Sequence, residues 1–257
     1  SIEQNLKPTV QLLLDLGLTK DQVAKAVARY PRILGLSIEQ NLKPTVQWFL
    51  DLGLTKCQVA KAVAIHPQTL GLSIQQNLKP TVQWLLDLGL TKSQVAKAVA
   101  THPQILGLSI DQNLKPTVQW LSDLGLTKSQ VAKAVATSPQ ILGYSIDQNL
   151  QPTVQWFLDL GLTKSQVAKG VANFPPVLGL SIHKNLKNKV KLLQWFLTPS
   201  GVVELVAQCP RILSYSQQRL EDRVHVLSKQ GSLGKLRGAM SLTEEALQNL
   251  KPTVQWL

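Results

Sequence analysis

The stretch Leu85–Ser109, "LLDLGLTKSQVAKAVATHPQILGLS", carries the punctuation of helices and of little else. Its leucine-rich start stops at Gly89, where a left-handed C-cap residue belongs. Thr91 and Gln94 stand at capping-box spacing, and Val95, Ala96 and Val99 give the helix they open an inward face. Pro103 ends that helix, because the residue before a proline is pushed out of the α region.

Working outward, the same frame recurs through the chain. The unit starts at Ser1 and restarts at Ser37, Ser73, Ser109, Ser145 and Ser181, giving near-identical copies over 1–36, 37–72, 73–108, 109–144 and 145–180. Degenerate copies cover 181–214 and 215–245, and 246–257 opens a further one; all of 1–257 reads as a single solenoid. In the first copy Pro8 suits a helix start, so a helix is expected over Pro8–Leu16, capped by Gly17, with Leu6, Val10 and Leu13 on one face. The second helix follows Thr19, with Val23, Ala24 and Val27 inward. Ile33–Leu36 and Ser1–Leu6 are too short for full helices; the Ser1/Gln4 pair predicts a short third helix or 3₁₀ turn. No stretch alternates with period two, so the fold class is all-α. Trp48, Trp84, Trp120 and Trp156 share one position that holds Leu12 in the first copy. That exchange with leucine favours packing between repeats over a ladder for stacking bases.

These residues closely resemble the mTERF family of mitochondrial and plastid proteins: a leucine-rich first helix, an "LGL" turn, a polar helix start and a "P-x-x-L" end. The resemblance implies a superhelical solenoid of tandem three-helix repeats, about 36 residues each, that binds nucleic acid in an organelle. It implies a mitochondrion, or alternatively a chloroplast, and tasks that range from transcription termination or regulation on duplex DNA to splicing and mitochondrial ribosome assembly. The copies here are unusually uniform. The sixth departs from the pattern, with Asn188 in place of the proline and "FLTPSG" in place of the glycine turn, which predicts a local bend near Thr198–Gly201. TAL effector repeats have similar length and a variable pair, but here a proline stands where theirs have Gly-Gly.

A formal charge of +12 calls for an anionic partner. The lysines fall into three rows: Lys7, Lys43, Lys79, Lys115 and Lys187; Lys20, Lys56, Lys92, Lys128 and Lys164; and Lys25, Lys61, Lys97, Lys133 and Lys169. Equal positions in a solenoid align, and such rows match a phosphate backbone. The ends are more basic than the middle: Arg29 and Arg32 in the first copy, and Lys184, Lys187, Lys189, Lys191 and Arg211 in the sixth. The aspartate row Asp15, Asp51, Asp87, Asp123 and Asp159 is expected to pair with neighbouring lysines. Packed helices lie about 8–10 Å apart, so a repeat spans roughly 10 Å. That is ~3 base pairs of duplex, which makes a one-repeat, one-base code awkward there.

The residues before each proline vary: Arg29-Tyr30, Ile65-His66, Thr101-His102, Thr137-Ser138 and Asn173-Phe174. The second of each pair continues the inward face and reads as packing. The first lies on the polar face beside the Lys25 row, so Arg29, Thr101 and Asn173 are candidates to touch a ligand. The four histidines and two cysteines have no metal-ligand spacing, and neither a Walker loop nor a nucleophile elbow is present. No enzyme, metal or cofactor is expected. The partners expected are double-stranded DNA or structured RNA, with the mitochondrial ribosome a further one, met by a monomer and without a membrane; a protein-binding scaffold of the HEAT or TPR sort is the competing class. The chain opens at a repeat boundary and stops inside "QNLKPTVQWL", as a mature fragment would.

Overall fold

The structure, a computed structural model, describes residues 2–222. The later part of the copy at 215–245 and the partial copy at 246–257 therefore lie outside the described residues. Contacts gather into two compact units, 1–123 with 127–143, and 124–126 with 144 onward.

Among the described residues all regular structure is helical. In the first unit the leading helices of each repeat are α1 (Ile2–Leu16), α3 (Lys43–Asp51), α5 (Lys79–Asp87) and α7 (Lys115–Leu124). Their partners are α2 (Lys20–Arg29), α4 (Lys56–Ile65), α6 (Lys92–Thr101) and α8 (Lys128–Thr137). The second unit holds the leading helices α9 (Gln151–Asp159) and α11 (Lys187–Gln194) and the second helices α10 (Lys164–Asn173) and α12 (Pro199–Gln208). A 3₁₀ turn follows each second helix, as at Pro31–Gly35, Pro67–Gly71 and Pro103–Gly107. Within the first unit α2, α4, α6 and α8 pack side by side in order, and so do their 3₁₀ turns.

The helix signals read from the sequence are realised bond by bond. At the end of α3, Gly53 N–H donates to Leu50 O at 2.9 Å and Leu54 N–H to Phe49 O at 3.1 Å. This paired closure needs a left-handed residue, and Gly53 has φ of 101°. It also brings Leu54 onto Phe49, both buried. Then Thr55 Oγ1 accepts from Gln58 N–H while Gln58 Oε1 accepts from Thr55 N–H, and the same reciprocal box opens α2, α6, α8 and α10.

The expected third element at Ser1–Leu6 and its equivalents is corrected. Ser37 does cap, its Oγ accepting from Gln40 N–H, but the reciprocal acceptor for Ser37 N–H is Asn41 Oδ1 at 3.1 Å. The capped turn, Ile38–Leu42, is π-helical and runs straight into α3. In the first copy, likewise, α1 already begins at Ile2 and Pro8 lies inside it. The physical reason is proline: its ring crowds the carbonyl four residues back and it has no N–H to donate. Widening the preceding turn, so that Leu42 N–H reaches Ser37 O at 3.1 Å, accommodates Pro44 without breaking the helix. The sixth copy keeps the wide turn without the proline, and Asn188 Nδ2 donates to Lys184 O, four residues back, at 3.4 Å.

The core of each repeat is apolar and closed: Leu42, Phe49, Val59, Val63 and Leu70 in the second copy are all at or near zero exposure. Truncating one such side chain costs about 2–5 kcal/mol. Ala24 does not follow the inward reading. It is exposed in α2, whereas its equivalents Ala60 and Ala168 are buried. A glycine turn from the preceding repeat covers this position, since a Cβ on Gly17 would lie 4.0 Å from Ala60 and one on Gly125 3.6 Å from Ala168. At the sixth copy Thr198 caps α12 by accepting from Gly201 N–H at 3.2 Å, with Pro199 at the first helical position.

Candidate nucleic-acid interface

The second helices carry the uncompensated charge. Lys20, Lys56, Lys92 and Lys128 open α2, α4, α6 and α8, and Lys25, Lys61, Lys97 and Lys133 follow one and a half turns later; all eight are exposed. Because these four helices pack in order, the lysines form two rows along the first unit. Among the described residues none of them lies within ion-pair distance of a carboxylate. In the second unit Lys164 and Lys169 take the same places on α10, and α12 has no lysine at all.

The leading helices are different. Their ion pairs, Lys43–Glu39 at 2.5 Å and Lys115–Asp111 at 2.6 Å, join exposed residues one turn apart. Such pairs contribute little to stability, yet they offset charge that a phosphate would otherwise meet. The aspartate row was expected to pair with lysine, and that expectation is corrected. Asp51 Oδ1 accepts from Gln47 Nε2 at 2.8 Å, and Asp15, Asp87, Asp123 and Asp159 accept likewise from Gln11, Gln83, Gln119 and Gln155. Glutamine lies one turn back on the same face; the lysine of that helix lies two turns back.

Trp48, Trp84 and Trp156 are half-buried and line open grooves between successive leading helices of their units. Trp48, Asp51 and Leu52 face Lys79, Pro80, Val82 and Gln83 across about 460 Å³. A groove of about 530 Å³ sets Trp84 and Asp87 opposite Lys115 and Lys128, and one of about 230 Å³ sets Trp156 and Asp159 opposite Lys187 and Lys191. Trp48 also meets the buried Phe49 edge-on at 5.3 Å.

The variable pair divides as its spacing predicts. Tyr30, His66, His102, Ser138 and Phe174 are helix C-caps with nearly the same backbone angles, φ from −143° to −137°. Burial lowers the pKa of His66, with the nearby Arg29 cation acting in the same direction, and burial lowers that of His102. The preceding residues are exposed. Arg29, however, donates to Ile65 O at 2.5 Å, clipping the end of α2 to that of α4. The Thr101 hydroxyl turns back to Lys97 O at 2.9 Å, and that of Thr137 to Lys133 O at 2.7 Å. Asn173 and the 3₁₀-turn arginines Arg32 and Arg211 are exposed, as are Lys184, Lys187 and Lys191.

Lys189 is not available to a ligand. It is 5% exposed and its Nζ donates to Leu213 O at 2.6 Å. Helical spacing sets it apart, two residues from each of Lys187 and Lys191 and so off their face of α11. Its repeat position agrees: Thr9, Thr45, Thr81, Thr117 and Thr153 hold the same place and are buried too. Neither that threonine row nor the exposed Trp195 figured among the residues singled out in the sequence. Both cysteines are free thiols, and among the described residues no three His, Cys, Asp or Glu side chains gather closely enough to hold a metal ion. No described helix is long and apolar enough to cross a membrane.

The family model that matches this chain is mTERF, over residues 1–246. No curated protein matches it.

Proposed function

The chain belongs to the mTERF family, and from that premise we propose that it binds double-stranded DNA along the lysine rows of its second helices and so regulates or terminates organellar transcription. Family membership supports the coarser part, a helical-repeat protein that binds nucleic acid inside an organelle. The finer part rests on one observation: the Lys20 and Lys25 rows are exposed, regularly placed and free of carboxylate partners, whereas the leading-helix row is partly neutralised. Regular, uncompensated cations are what a phosphate backbone selects. Lys20, Lys25, Lys56, Lys61, Lys92, Lys97, Lys128 and Lys133, with Arg32, are the contacts of this reading in the first unit, and Lys164 and Lys169, with Arg211, are those in the second. The protein acts as a monomer on its ligand, in the mitochondrion.

A structured RNA, ribosomal or intronic, is the second reading. The observation that favours it is Trp195, 85% exposed on the sixth repeat, which a duplex offers nothing to stack on. The test is competition for the full chain between duplex DNA, duplex RNA and single strands of one sequence, repeated across salt concentrations. Binding that is tightest to duplex DNA, with a log–log salt slope of about −0.9 per phosphate met, supports the first reading. Tighter binding to RNA supports the second. A flat salt dependence with every nucleic acid removes both and leaves a protein-binding scaffold.

A further inference from the structure

The sixth repeat moves its charge from one helix to the other. In the first five copies the second helix bears two uncompensated lysines, but α12 bears none and carries Glu204 instead. The leading helix α11 keeps the row lysine, Lys187, and adds Lys191 where the earlier copies have glutamine. Lys187 and Lys191 lie one turn apart on it, both exposed. Trp195 follows a further turn on, its backbone still helical at φ −70°, ψ −21°, so all three share one stripe. In repeats two to five the positions of Lys191 and Trp195 hold the hydrogen-bonded Gln–Asp pair. The exchange turns an anionic, self-satisfied edge into a cationic one with a bare indole. Both lysines also line the Trp156 groove, where two cations face the single carboxylate of Asp159.

A fully presented indole in water is unusual for so large an apolar surface. Here it stands at the end of a lysine stripe, the combination that holds an unpaired nucleotide: the ring stacks on the base while ammonium groups meet the flanking phosphates. We infer that α11 and Trp195 form a second nucleic-acid site, distinct from the second-helix rows, which takes an unpaired base of single-stranded or looped nucleic acid. An anionic lipid surface would also meet lysine and tryptophan, but one exposed ring beside half-buried Phe196 and Leu197 offers little apolar area to insert. The inference rests on the nucleic-acid reading above but not on its choice of duplex DNA.

The experiment measures binding of the full chain to a labelled single-stranded oligonucleotide and to its duplex, for wild type, Trp195→Ala, Trp195→Phe and Lys187→Glu/Lys191→Glu. Because Trp195 is exposed, an unchanged melting temperature is expected and checks the fold. The inference expects Trp195→Ala to weaken single-strand binding about tenfold and Trp195→Phe to retain most of it. It expects Lys187→Glu/Lys191→Glu to weaken single-strand binding too, with the duplex changing less than twofold in the tryptophan variants. Equal losses on duplex and single strand, or no loss on either, overturn it while leaving the duplex reading intact. Loss of binding to anionic vesicles with single-strand affinity unchanged would assign the stripe to a membrane instead. If the wild type binds no nucleic acid of any kind, both readings fall together.

Discussion

Lys189 donates from Nζ to the main-chain oxygen of Leu213 at 2.6 Å, tying the sixth leading helix to the 3₁₀ turn at Pro210–Ser214 from inside the repeat. Burial holds its pKa below the usual lysine range. A charge-assisted bond in such a place is worth about 1.5–3 kcal/mol, so Lys189→Ala is expected to lose roughly that much stability. Chemical denaturation measures the loss, and the salt slope of nucleic-acid binding stays as in wild type. A variant with full stability and a shallower slope would make Lys189 a surface contact after all.

The second-helix rows make a charge prediction. Replacing Lys97 and Lys133 by glutamate is expected to lower duplex affinity and to flatten the log–log salt slope by about 1.8, two phosphates at roughly 0.9 each. The same change at Lys79 and Lys115 should do less, because Asp111 already sits 2.6 Å from Lys115. Binding isotherms at several salt concentrations decide it; equal effects from the two pairs would remove the distinction between the rows.

Gly89 has φ of 110°, yet a Cβ there would come no nearer than 3.8 Å to Ala132. Space is available and only the backbone objects. Gly89→Ala is therefore expected to cost about 1–3 kcal/mol with binding per folded molecule unchanged, as read by thermal melting and by titration. A neutral result would mean the turn can close without the left-handed residue.

The fold was legible because its signals are local. Thr55/Gln58, Gly53 and Pro67 each act within a few residues, and five copies repeat them. The π turn was hidden because Ser37/Gln40 spacing reads the same for a separate short helix as for a widened first turn; only the bond from Leu42 N–H to Ser37 O separates them. The candidate site was half legible. Repeat register aligned the lysine rows, but which rows are already answered by a carboxylate depends on side-chain partners. Gln47 captures Asp51 and Glu39 captures Lys43, exchanges that spacing alone leaves open. Lys189 is a different case: its place on the threonine row, off the face of Lys187 and Lys191, was legible, but the Leu213 oxygen it meets was not.

Ser138 is 2% exposed and its Oγ has no hydrogen-bond partner. Its position is a packing one, held elsewhere by Tyr30, His66, His102 and Phe174. An unpaired buried hydroxyl carries a desolvation cost of about 1–3 kcal/mol, which alanine does not incur. Ser138→Ala is thus expected to be neutral or to stabilise by up to about 1 kcal/mol, an increase readable as a higher melting temperature. A loss of stability would show that the hydroxyl has a partner in solution.

His66 and His102 supply the pH dependence. Burial lowers both pKa values, and Arg29 lowers that of His66 further. The folded chain therefore takes up these protons less readily than the unfolded chain, whose histidines titrate near 6.5. Between the unfolded value and the lower folded one, the unfolded state holds more protons, so stability rises with pH there and falls on acidification through about pH 6.5. Above that range both forms are neutral and the effect is absent. His66→Gln/His102→Gln should lose less stability than wild type between pH 7.5 and pH 5, a difference that removes the shared contribution of the carboxylates. Arg29→Gln should recover part of the same difference by withdrawing the neighbouring cation, although it also removes the bond to Ile65 O. Parallel stability curves for wild type and the double variant would show that the two histidines titrate alike in both states.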